Sequence, residues 1–202
     1  MRDPYLFEDV NVLRNKLNIR NAEELTEAEA NITYLLFLDI DKAFEDKPFD
    51  LQRLCGIHRY ILGNLFDWAG QLRSIPMVKG EPVLGGDTVR YSPPDRIAED
   101  ASKVIAQLNQ IDWAVLNAEE IAGLFARLIA ALWQVHPFRE GNTRSVITFA
   151  TQFAAAHGFA MDKNLLRENA EYVRGTLVKA SDGQYAEYQY LQQIFKDAIL
   201  QG

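Results

Sequence analysis

Apolar positions along the chain recur mostly at spacings of three and four, the signature of helices that bury one face. Asn21 followed by Glu24 has capping-box spacing, and Leu25, Ile32, Leu35 and Leu36 continue one face, which predicts a helix from about Ala22 to Phe44. Pro48 interrupts the pattern, Asp50 can cap a new start, and Leu51, Leu54, Cys55, His58, Ile61 and Leu62 carry a second helix to about Phe66. Upstream, the stretch DVNVLRNKL predicts another short helix. Between residues 71 and 94 the period changes: QLRSIPMV and DTVRYS flank the turn-rich KGEPVLGG, which predicts a β-hairpin or extended flap.

Beyond Pro93 and Pro94, Ile97, Ala101, Val104, Ile105 and Leu108 mark a further helix. Asn117 and Glu120 repeat the capping-box spacing before IAGLFARLIAALWQV, whose apolar residues cover most of the circumference and predict a central helix. A polar loop, HPFREGNTR, then leads into SVITFATQFAAAHGF, a second strongly apolar helix stopped near Gly158. Two more helical stretches, Asp162 to Ala180 and Tyr185 to Leu200, are separated by Ser181, Asp182 and Gly183. There is no internal repeat, low-complexity tract or interdomain linker. The reading is one mainly α domain over 1–202, with N-terminal helices in 1–70, a flap in 71–94 and core helices in 95–202.

Composition narrows the function classes. A chain of 202 residues that is 48% hydrophobic and 24% charged can bury its own core. A net charge of −7 argues against a surface that wraps nucleic acid, and no apolar run approaches a bilayer span, so the expected location is cytoplasmic. The single cysteine, Cys55, has no partner for a disulfide or a thiolate metal site, and its helical spacing predicts an inert buried thiol.

The chemistry concentrates in His136 to Arg144. A loop feeding a helix N-terminus presents unpaired N–H groups and the positive end of the helix dipole, so Gly141, Asn142 and Thr143 are placed to cradle a phosphate. Arg144 adds a permanently charged forked donor. Phosphate groups bring Mg²⁺, which takes one or two carboxylates together with phosphate oxygens and water, and Glu140 is the carboxylate at hand. His136 has the side chain suited to accepting a hydroxyl proton near neutral pH, and Phe138 would plug the loop into the core. Against these stand plainer readings: a histidine capping a helix, a solvated glutamate, a Gly-Asn turn and a surface arginine. His58 and His157 read as structural, and Trp68, Trp113 and Trp133 as core anchors.

His136, Phe138, Glu140, Gly141, Asn142 and Arg144 together resemble the motif of the Fic family: His, any, Phe, any, Asp/Glu, Gly, Asn, Gly or Lys, Arg, and a second Arg three residues on. The resemblance implies a Fic-type helical bundle with a small β-hairpin flap, similar to small bacterial Fic toxins and effector Fic domains. It implies transfer of AMP from ATP to a Tyr, Ser or Thr hydroxyl of a target protein, with Mg²⁺ and release of pyrophosphate. His136 would be the base, Glu140 the metal ligand, Gly141, Asn142, Thr143 and Arg144 the nucleotide contacts, with Tyr172 and Tyr185 beside the adenine. The target would dock on 72–91 by strand addition, and a small antitoxin is a further expected partner. A kinase-type reaction or another nucleotide donor is the alternative enzyme; a catalytically weak binding module is the alternative outside enzymes. Two positions depart from the motif: Thr143 stands for Gly or Lys, and Ile147 for the second Arg, with Arg139, Arg174 and Lys79 as substitutes for the missing cation.

Overall fold

The computed structural model describes residues 3–200, apart from the side chain of Leu38. Among them are eight α-helices: α1 (Ala22–Asp39), α2 (Leu51–Leu62), α3 (Ile97–Gln110), α4 (Ala118–Val135), α5 (Asn142–Ala156), α6 (Lys163–Glu168), α7 (Ala170–Ala180) and α8 (Gln189–Ala198). Helix α4 is the hub, packing against α3, α5, α7 and α8, while α5 lies between α4 and α2, and α1 rests on α2. Its start is fixed by a full capping box: Asn117 accepts from the amides of Glu119 and Glu120, and Glu120 reaches back to the Asn117 amide. Phe125, Ile129, Leu132 and Trp133 of α4 and Phe149 and Phe153 of α5 are all fully buried, so the two helices that flank the polar loop are held by the densest part of the core.

Asn21 and Asp50 cap α1 and α2 as their spacing predicts. Helix α1 stops at Asp39, however, and the chain tightens into a 3₁₀ turn over Lys42–Phe44, which turns both Ile40 and Phe44 into the core. Asn169 splits the predicted Asp162–Ala180 helix into α6 and α7: its side-chain amide donates to the Leu165 carbonyl at 2.8 Å, a local bond that competes with helix continuation.

Two expectations are corrected. The stretch DVNVLRNKL is not helical; an isolated antiparallel bridge joins Leu6 to Leu13, with Phe7 N–H donating to Val12 and Arg14 N–H to Tyr5. Val12 is buried while Leu17 is exposed, so the apolar residues there do not share one helical face. The flap, too, lacks a strand ladder among the described residues. It doubles back through a 3₁₀ turn at Pro82–Leu84 and is closed by Glu81 N–H to Asp87 (2.8 Å) and Gly86 N–H to Glu81 (3.0 Å). Pro76 and Pro82 lack the N–H a ladder needs, so the fold is a mainly α bundle with an irregular flap.

Candidate active site

The loop between α4 and α5 is set by two left-handed residues. His136 ends α4 at φ 52°, and Gly141 opens α5 at φ 75°. Glycine is required at the second position: a Cβ there would stand 2.5 Å from a methyl of Leu62 on α2. His136 holds its unusual backbone because Arg73, itself buried, donates Nε to the His136 carbonyl at 2.7 Å, and the Arg73 amide donates to the Pro137 carbonyl at 2.9 Å. The same guanidinium reaches the carbonyls of Ile75, Ser92 and Val135, tying both ends of the flap to the end of α4. Sequence reasoning missed Arg73: nothing in its spacing within QLRSIP marks it as a buried clamp.

Asn142 closes the loop on itself. Its side-chain oxygen accepts from the Phe138 amide (2.9 Å) and its side-chain nitrogen donates to the Phe138 carbonyl (2.8 Å), so the carboxamide shapes the loop rather than facing a ligand. Phe138 is fully buried, as its plug role requires, and stacks on His58 at 3.8 Å between ring centroids. His58 carries more than a packing role. The Gly70 amide donates to its Nδ1 (2.7 Å), which leaves the proton on Nε2 to donate to the Glu140 carbonyl at 3.0 Å. Burial keeps this imidazole neutral and pushes its pKa down to about 4.

The His136 ring is buried, stacked on Tyr91 at 4.1 Å and edge-on to Trp133, and neither ring nitrogen has a hydrogen-bond partner. Burial, with the positive charges of Lys79, Arg73 and Arg174 nearby, holds its pKa well below the ordinary histidine value, so the base form persists. Glu140 accepts from the Gly141 amide at 3.1 Å and pairs with Lys79 of the flap at 3.4 Å. Burial pushes its carboxyl up, but Lys79, the Gly141 amide and Arg144 outweigh that and leave it ionised below its usual range.

Downstream, the amides of Asn142, Thr143 and Arg144 precede the first intrahelical bond of α5, from Ser145 N–H to the Gly141 carbonyl. The Thr143 hydroxyl accepts from the Trp133 indole at 2.9 Å. Arg144 is ion-paired with Glu29 of α1. Ile147 lies partly buried against the core. Of the three candidate substitutes for an arginine there, Arg139 is held by Asp3 (2.8 Å) and Arg174 by the fully buried Glu81 (2.8 Å), which also accepts from Tyr91. Lys79 alone of the three reaches the loop's carboxylate. Tyr172 and Tyr185 are 49% and 71% exposed, and neither packs in the core.

The profile of the Fic/DOC family matches residues 48–154, just over half of the chain, from α2 through the loop to the end of α5. The chain belongs to the Fic/DOC family. Among relatives of this Fic/DOC chain, a "Probable protein adenylyltransferase Fic" of Salmonella typhimurium is 31% identical over 79% of this chain and 76% of its own length. The "Protein adenylyltransferase VbhT" of Bartonella schoenbuchensis is 27% identical over 87% of this chain, which spans only 35% of that longer protein. The crystal structure of the effector protein BepC from Bartonella tribocorum, with bound AMPPNP, superposes with a TM-score of 0.79 at 23% identity, covering 98% of this chain and 97% of that one, and shows the shared fold. The Fic/DOC assignment covers His136, Phe138, Glu140, Gly141, Asn142 and Arg144 alike, and His136, whose buried ring nitrogens lack hydrogen-bond partners, lies within it.

Proposed function

We propose that this Fic/DOC protein is a protein adenylyltransferase, moving AMP from ATP to a hydroxyl side chain of another protein. The observation that carries the reading is His136: a neutral imidazole whose two nitrogens are buried without partners, on a loop that also presents a carboxylate and the open amides of a helix start. A buried polar atom without a partner is costly, and a site that waits for a reacting group accounts for it. In the reaction the target oxygen attacks the α-phosphorus, its proton passes to His136, and the bond from that phosphorus to the bridging oxygen breaks, releasing pyrophosphate.

Glu140 fits Mg²⁺. It is ionised, one oxygen is steadied by the Gly141 amide, and a cation, the Lys79 ammonium, already sits against the other. No cluster of three or more His, Cys, Asp or Glu side chains stands ready for a metal among the described residues, as suits an ion that takes most of its ligands from phosphate and water. Such an ion would screen phosphate charge. The amides of Asn142, Thr143 and Arg144 would meet the phosphates, joined by the Arg144 guanidinium after it exchanges Glu29 for them, while Gly141 lets the chain turn and the Asn142 side chain positions the loop. The exposed Tyr172 and Tyr185 would be free to cover an adenine.

The target would lie along the flap, where Val78 is 80% exposed beside Lys79, and main-chain pairing would align it. A small antitoxin acting at Arg144 would have to displace Glu29. No helix among the described residues is long and apolar enough to cross a membrane. The test is transfer of label from α-phosphate-labelled ATP with Mg²⁺ to protein in a lysate, abolished by His136→Ala. Transfer from the γ-phosphate instead identifies a kinase-type reaction, and no transfer from any nucleotide identifies a binding module.

A further inference from the structure

A nucleoside triphosphate is polyanionic, and one divalent cation neutralises only part of its charge. Glu140 adds a negative charge to the same place, and of the loop's two arginines Arg139 is paired with Asp3, which leaves Arg144. Position 147, on the face of α5 one turn further along, holds an isoleucine. The remaining cations around the loop differ in how they are held. Every nitrogen of the Arg73 guanidinium donates to a backbone carbonyl. Arg174 is locked to a carboxylate that is fully buried, and Arg139 to Asp3 in a largely buried pair. Losing either contact would strand a charge.

Lys79 is different in kind. Its partner is Glu140, the one carboxylate in the site that a metal ion would claim, and its side chain stays about one-quarter exposed. Two like charges cannot share one carboxylate oxygen at this distance without strong repulsion. Lys79 would therefore give up Glu140 when a metal binds, with its ammonium beside the metal and its ligands. Its backbone would not have to move. The Lys79 amide donates to Thr88 across the flap at 3.2 Å, and two residues on Glu81 is pinned by Arg174 and Tyr91. The flexible four-carbon stem alone needs to swing.

We propose that Lys79 is a phosphate-binding residue of this site: the flap supplies, from outside the loop, the second cation that contacts the β- and γ-phosphates in place of an arginine at 147. The assignment rests on the nucleotide-transfer reading and adds to it a division of labour, with Arg144 fixed on α5 and Lys79 delivered by the flap. It also links the flap that would hold the target to the phosphates that leave.

The experiment is calorimetric titration of the full chain, with Mg²⁺ present, against AMPPNP and against AMP, for wild type, Lys79→Met and Lys79→Arg, with thermal melting to confirm that each variant folds. Lys79→Met should weaken AMPPNP about 10- to 100-fold, the size of a lost hydrogen bond between charged groups, and leave AMP within about threefold of wild type. Lys79→Arg should keep most of the AMPPNP affinity. Wild-type AMPPNP binding that Lys79→Met leaves unchanged, or a loss equal for AMP and AMPPNP, overturns the assignment alone. A wild-type chain that binds neither nucleotide overturns the transfer reading and the assignment together.

Discussion

His58 gives the sharpest test of how the loop is supported. Its ring is fully buried, takes the Gly70 amide on Nδ1 and donates Nε2–H to the Glu140 carbonyl, so the folded chain needs it neutral. The folded pKa of about 4 lies below the roughly 6.5 of an unfolded histidine. Unfolded chains therefore bind a proton between those values that folded chains do not. Stability is fully present above about pH 6.5 and is lost as pH falls toward 4. A gap of about two and a half units at about 1.4 kcal/mol each makes this contribution about 3 kcal/mol. Urea unfolding followed by tryptophan fluorescence at several pH values from 7.5 to 4.5, for wild type and His58→Gln, isolates it, because carboxylates and His136 contribute equally to both chains. His58→Gln should be less stable at pH 7.5, by about 1–3 kcal/mol if one buried backbone group is left unsatisfied. The gap between the two chains should then narrow by about 1.4 kcal/mol per pH unit near pH 5. A gap that stays constant with pH would refute the neutral, bridging role of His58.

Three further outcomes follow from single contacts. Gly141→Ala places a Cβ against Leu62 at a backbone angle that alanine avoids, and should lower unfolding free energy in urea by about 1–3 kcal/mol while abolishing transfer. Arg174→Met leaves Glu81 buried and unpaired, and should cost about 3–5 kcal/mol; adding Glu81→Gln to it should recover much of that loss in a double-mutant cycle. Glu29→Gln removes the carboxylate on Arg144, so calorimetry should find nucleotide bound more tightly, by up to about tenfold; unchanged or weaker binding would show that Arg144 does not meet phosphate.

Much of this architecture is legible in the chain because it is local. The caps at Asn21, Asp50 and Asn117 and the apolar faces of α2 to α5 are statements about residues three and four apart. The plug role of Phe138 and the glycine at 141 follow in the same way, since a polar loop between two buried helices must turn sharply and anchor once. What the spacing cannot carry are contacts across long stretches of chain. Arg73 holds His136 from 63 residues away, His58 holds Glu140 from 82, and Glu29 reaches Arg144 from 115. The flap fails as a predicted ladder for a related reason: its alternation is real, but Arg73, Glu81 and Tyr91 tie it to α4 and α7 by side chains, and those ties take the place of cross-strand bonds. The Asn142 side chain clasps the loop while its backbone amide stays at the open start of α5, a division that residue type alone does not reveal.

The three groups that would do chemistry are covered by two parts of the chain, the flap and α1. Tyr91 of the flap lies on His136, Lys79 of the flap on Glu140, and Glu29 of α1 on Arg144. On the proposed reading, binding a nucleotide with Mg²⁺ would be an exchange of charges rather than the filling of an empty, fully charged site: Lys79 and Glu29 would release the groups that metal and phosphate take up. The partly exposed Lys79–Glu140 pair is held by no more than about 1 kcal/mol, so it yields readily. Glu29 is more enclosed than Glu140, so the Glu29–Arg144 pair would yield less readily and α1 would be the stronger brake on nucleotide entry. The ring of His136 is governed separately. It is 3% exposed and stacked on Tyr91, so a shift of Tyr91 would uncover it to a target hydroxyl, and Tyr91 is tied through Glu81 to Arg174 on α7. Nucleotide entry and target access therefore depend on different contacts, and Glu29→Gln should raise the first without opening the second.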